Sequence, residues 1–97
     1  MRTVTIFALG IEDFKVGHRM TLISCEGNQT QQSCVCVYFV NEIDEIVYFY
    51  DIEEPDITGY FSIGDLSSNG IISDGYQKTQ IIQLYNEKGK TIWSRPF

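Results

Sequence analysis

Apolar residues fall in short runs rich in β-branched and aromatic side chains, broken about every ten positions by Gly, Asn, Asp and Ser. That pattern predicts a meander of strands. The first run is "TVTIFAL", where Val4, Ile6 and Ala8 alternate with Thr3, Thr5 and Phe7. After "GIEDFKVG" comes "HRMTLISCE", with Met20 and Leu22 on the side opposite Arg19 and Thr21, a half-buried strand. The polar, aperiodic "EGNQTQQS" predicts an exposed loop leading into "CVCVYFVN". This third run is apolar on both sides, as expected of a central strand covered on both faces. A hairpin across "NEIDE" joins it to "IVYFYDI", which Pro55 should end because proline cannot donate to a ladder. "TGYFSIG" and "GIIS" follow, separated by the turn "DLSSNG".

Two readings fit the C-terminal part. A helix near residues 76–88 could be capped at Asp74 and stopped at Gly89, giving an α+β fold. A hairpin could instead join "TQIIQLY" to "KTIWS" through "NEKG". The hairpin is favoured because it gives "TIWS" a partner, and a lone final strand is marginal. The expected fold is therefore one all-β domain over residues 1–97, a small antiparallel barrel or sandwich of six to eight strands.

Composition narrows the class. A chain of 97 residues that is 43% hydrophobic, with two prolines, can bury one modest core. No apolar run approaches the roughly 20 residues that span a bilayer. Three cysteines leave at least one unpaired, which favours a reducing, cytoplasmic setting. Charge is segregated along the chain. Residues 20–77 hold ten acids and no Lys or Arg, while basic residues cluster at the two ends, Arg2, Lys15 and Arg19 before and Lys78, Lys88, Lys90 and Arg95 after. Such a middle repels phosphate backbones and anionic membrane, so the expected partner is a protein with a basic surface, with no direct nucleic-acid contact.

Catalytic motifs are lacking: one histidine, no G-x-S-x-G, no H-E-x-x-H and no phosphate-cradling glycine loop, so no enzyme activity and no cofactor are expected. His18, Cys25, Cys34 and Cys36 make up a Cys₃His set in number. Yet C-x-C inside an apolar strand is a poor metal turn, and small buried hydrophobes are the expected role of the thiols.

The segment "DLSSNG", residues 65–70, fits D-x-S-x-x-G and resembles the motif of PilZ domains, small β-barrels that bind cyclic di-GMP. The resemblance covers six residues and implies ligand contacts from Asp65, Ser67 and Gly70. The family's upstream R-x-x-x-R pair is missing, since Ile6 stands four residues after Arg2 and Ile23 four after Arg19. A PilZ-like dinucleotide module is accordingly an alternative function.

The most informative stretch is residues 41–56, "NEIDEIVYFYDIEEPD", which sets Tyr48, Phe49 and Tyr50 among seven of the thirteen acids. In a strand, Tyr48 and Tyr50 share a side with Ile46 and Ile52, while Phe49 shares the other with Val47 and Asp51. Periodicity does not say which side faces solvent. With Phe49 inside, the tyrosines form a rigid contact strip flanked by Glu42, Asp44, Glu45, Glu53, Glu54 and Asp56. These eight residues are the expected partner-binding site. The domain would dock a basic protein surface, and where that surface normally holds nucleic acid it would act as a charge-imitating inhibitor, a phage-type antagonist. A structural subunit assembling through a sheet edge is a further alternative.

Overall fold

Among the described residues the alternating pattern forms seven strands: β1 (Arg19–Glu26), β2 (Gln29–Asn41), β3 (Ile46–Asp51), β4 (Thr58–Ser62), β5 (Ile71–Ser73), β6 (Lys78–Tyr85) and β7 (Thr91–Ser94). The computed structural model describes residues 9–26, 28–67, 70–73 and 78–95. The expected strand "TVTIFAL" lies outside the described residues except for Leu9, which is buried in the core. All strands belong to one antiparallel sheet in the order β4-β3-β2-β1-β6-β5. The outer edge of β6 is shared, with β5 pairing its first residues and β7 its last.

The all-β expectation holds, and the C-terminal region is the hairpin, not the helix. Its turn is held by Asn86, whose Oδ1 accepts from the backbone N–H groups of Lys88 and Lys90, both at 2.9 Å. The "NEIDE" hairpin forms as expected, with Asn41 paired to Ile46. β3 ends at Asp51, ahead of Pro55, because the Asp51 carboxylate accepts from the N–H groups of Glu53 (2.8 Å) and Glu54 (3.1 Å) and turns the chain.

Two expectations need correction. "EGNQTQQS" is not a loop: Gln29 to Gln32 continue β2 and pair with β1 down to Glu26. Ladder bonds use only the backbone, so exposed polar side chains do not prevent the pairing. The third run is not covered on both faces either. Val35 and Val37 are buried, whereas Cys34, Tyr38 and Phe39 are exposed.

The sheet therefore has one dry face. Met20, Leu22, Val35, Val37, Val47, Phe61, Ile81 and Leu84 line it, and fully burying each such side chain is worth about 1.5–3 kcal/mol. Phe14, from the segment preceding β1, closes over it and meets Phe61 edge to face at 5.3 Å. After β4 a 3-10 turn (Ile63–Asp65) carries the chain across, and Leu66 bridges to Ile72 of β5 at the far side of the sheet. The two sides approach through this connection, but the sheet does not close into a barrel. Bulges in β2, in the β1–β6 pair and in the β6–β7 pair supply the curl.

Gly70, the last residue of the "DLSSNG" turn, has a structural duty. Its φ is +83°, and a Cβ there would lie 2.6 Å from the Ile81 carbonyl oxygen and 2.8 Å from the Trp93 ring. Gly89 has the same φ but nothing within 4 Å. Gly89→Ala should therefore cost about 1–2 kcal/mol from backbone strain alone. Gly70→Ala adds overpacking and should cost about 2–5 kcal/mol. Denaturant titration of the two variants checks the ordering, and equal costs would show that the Trp93 contact does not constrain this turn.

Candidate functional site

The register of β2, β3 and β4 decides what the second face of the sheet carries. Cys36 pairs with Tyr50 and Val37 with Phe49, but the next β3 residue, Tyr48, pairs with Phe39, so β2 holds one extra residue, Tyr38. Such a bulge turns two consecutive side chains to the same side. On β4, Tyr60 lies opposite Tyr48 and Thr58 opposite Tyr50. Phe49 packs against the core, and its ring covers Gly59, where a Cβ would come within 2.7 Å of it. Of the two orientations open in the sequence, β3 adopts the one that sends both tyrosines outward.

The result is a connected group of rings on an open face. Tyr48 sits at its centre, with centroid distances of 5.5 Å to Phe39, 5.7 Å to Tyr60 and 6.3 Å to Tyr38. Tyr38 also meets Tyr50 at 6.3 Å. Tyr60 is 70% exposed, Phe39 52% and Tyr38 45%, so the rings shield one another only in part. Each pair contributes about 0.5–1.5 kcal/mol beyond area burial, enough to hold the rings in place and leave a rigid surface.

The expected acidic residues flank this face in two groups. Glu42, Asp44 and Glu45 occupy the β2–β3 turn, and Glu53, Glu54 and Asp56 occupy the β3–β4 turn; all six are exposed. β3 separates the groups by roughly 17 Å at 3.4 Å per residue. That exceeds the Debye length of about 8 Å at physiological salt, so the groups act as two separate poles. Asn41 Nδ2 donates to Asp44 at 3.1 Å, and Asn41 Oδ1 accepts from the N–H groups of Ile43 and Asp44, fixing the first turn. Among the described residues the one contact within 4 Å between a basic side chain and a carboxylate is His18 Nε2 to Glu87 at 3.5 Å, and it involves neither acidic turn.

Reading the sequence missed Tyr38, Phe39 and Tyr60, and also Ile43, which stands 95% exposed at the tip of the first acidic turn. The hairpin length alone places Phe39 and Tyr48 near one another. Tyr60 joins them only through the β3–β4 register.

The thiols are not the buried hydrophobes expected. Cys34 and Cys36 lie on the open face and Cys25 is exposed, because the same alternation that buries Val35 and Val37 turns their neighbours outward. His18 is buried on the opposite face. Its Nδ1–H donates to the Asp13 carbonyl at 3.1 Å, so the four candidate metal ligands do not converge. Arg19 is paired across from Cys36 and is the cation nearest this chemistry. Loss of water pushes the Cys34 thiol above its ordinary value; Arg19 opposes this, while Asp51, Cys36 and Glu53 add to it. Hydrogen bonding and charge at Cys36 likewise raise the Tyr50 phenol, again against Arg19. Of the PilZ-like segment, Ser68 and Asn69 lie outside the described residues, as does Arg2. The chain matches no family model, no curated protein and no solved structure.

Both raised groups keep their protons longer in the folded state. Their contribution to stability is complete below the ordinary thiol value of 9.0 and is lost as pH rises through the folded values. Site-resolved alkylation across pH should give Cys34 a higher midpoint in the native protein than in urea, and Arg19→Ala should move the native midpoint further up. A native midpoint at or below the unfolded one would contradict the assigned environment.

Proposed function

We propose that this domain is a non-enzymatic binding module that docks a basic protein surface on the open face of β2, β3 and β4. The observation that carries the reading is the pairing of a solvent-facing ring cluster with two exposed acidic turns that make no salt bridge among the described residues. Arginine side chains suit both parts, since a guanidinium stacks on tyrosine and bonds carboxylates in a fork. A ring contact of this kind is worth about 0.5–1 kcal/mol at an exposed site, and the acidic poles add steering and orientation. Tyr48 and Tyr50 supply contact area, joined by Tyr38, Phe39 and Tyr60. Glu42, Asp44, Glu45, Glu53, Glu54 and Asp56 supply the field. In a reducing cytoplasm Cys34 and Cys36 stay free on the same face. Where the basic surface normally holds nucleic acid, docking displaces it, and the domain acts as an inhibitor.

The test uses a panel of arginine-rich peptides and fluorescence anisotropy at low and high salt. Exchanging Glu53, Glu54 and Asp56 for Lys should leave the far-ultraviolet spectrum intact yet weaken binding about tenfold or more at low salt, with the difference shrinking as salt rises. Tyr60→Ser, which removes a ring touching only Tyr48 among the described aromatic pairs, should weaken binding at all salt concentrations. Unchanged affinity in both variants overturns the proposal.

A further inference from the structure

The same face ends at β4, an edge of the sheet whose outward backbone groups meet no strand among the described residues. Asp51 N–H donates to Ile57 O at 2.9 Å and Ile63 N–H donates to Glu45 O at 2.9 Å. Stepping by two from these bonds, Gly59 and Phe61 direct their backbone groups toward β3. Thr58, Tyr60 and Ser62 therefore point theirs outward, and among the described residues no strand pairs with this edge. Natural edges are commonly guarded by Lys, by Pro or by inward charges. β4, "TGYFS", carries none of these.

The surface around this edge is concave, with a volume of about 800 Å³. Thr58, Tyr60, Ser62 and Tyr48 line it together with Asp65 and the margins of the buried Phe61 and Ile72. Acids stand at both ends of the strand. Glu53, Glu54 and Asp56 precede Thr58, while Asp65 follows Ser62, and Glu45 is held to Ile63.

We infer that β4 binds an extended basic peptide segment by strand addition. The segment's main chain bonds the outward groups of Thr58, Tyr60 and Ser62, its arginines lie over Tyr60 and Tyr48, and its alternate apolar residues enter the hollow beside Phe61 and Ile72. Main-chain bonds give affinity in such an arrangement, and alternate side chains give specificity. Charge selects this occupant over a second copy of the chain. Edge-to-edge pairing of two β4 strands antiparallel brings Glu53, Glu54 and Asp56 of one molecule against Asp65 and Glu45 of the other, and like charges in register are destabilising. The inference rests on the proposed docking role and adds a main-chain requirement that face docking alone lacks.

The experiment compares a capped heptapeptide alternating arginine and valine with two versions N-methylated at alternate residues, one on the arginines and one on the valines. Binding is read by anisotropy, and amide hydrogen exchange is followed by NMR. Strand addition predicts slowed exchange at Thr58, Tyr60 and Ser62 on binding. It also predicts about tenfold or greater loss for one methylation pattern, because that pattern removes the donors facing β4. Thr58→Pro removes one outward donor while leaving every ring in place, and should weaken binding in the same direction. If Thr58→Pro misfolds, the methylated peptides still decide. Equal affinity for all three peptides, with no change in exchange, overturns strand addition while leaving face docking standing. No binding by any of the three overturns both. Concentration-dependent dimers with the same amides protected before peptide is added would assign the edge to a second copy and overturn the inference.

Discussion

The pairing of β2 with β3 is the constraint on which the rest of the surface depends. β3 alternates Val47, Phe49 and Asp51 with Ile46, Tyr48 and Tyr50, and only one of these sets can face the core. Val47 is completely buried and sits opposite Val40, which fixes the choice. Once Val47 and Phe49 go inward, Tyr48 and Tyr50 must go outward. The bulge at Tyr38 then adds two rings from β2 to the same side. A strand without that extra residue would alternate Tyr38 and Phe39 across the two faces and halve the contribution of β2 to the cluster.

The dry face sets the cost of leaving the other face open. A single curled sheet needs a cover on its core side, and Phe14, Leu66 and Trp93 provide it from outside the central strands. Gly70 marks how tight this arrangement is, since its lack of a side chain lets the chain pass beneath Trp93 and accept from the Ile81 N–H at 2.8 Å. The final glycine of the D-x-S-x-x-G segment thus has a sufficient cause in packing. No ligand contact is needed to account for that residue.

Electrostatics and shape act on different scales here. The two acidic turns are far enough apart to be screened from one another, so they steer and orient without building one large field. The rings between them act at contact distance and are insensitive to salt. Arg19, opposite Cys36, breaks the acidity of the open face at one point and holds down the two groups that burial and hydrogen bonding raise. The face is therefore graded: acidic at both ends of β3, aromatic between, and thiol-bearing with one cation toward β1.

Local pattern suffices for much of the architecture. Period-two alternation identifies β1, β3 and β4, while "NEIDE" and "NEKG" place the two hairpins through turn chemistry that acts within a few residues. The acids of residues 42–56 and the pair Tyr48 and Tyr50 are legible for the same reason, because they are neighbours in the chain. What local pattern leaves open is decided by contacts distant in sequence: the side of β3 that faces the core, the outward placement of Cys34 and Cys36, and the arrival of Tyr38 and Tyr60 beside Tyr48. Alternation gives two sides of a strand but does not name the inner one, and a bulge is invisible until two strands are set in register. Tertiary pairing makes that choice, because the core accepts Val47 and Phe49 beside Phe61 and leaves the tyrosine rings to solvent.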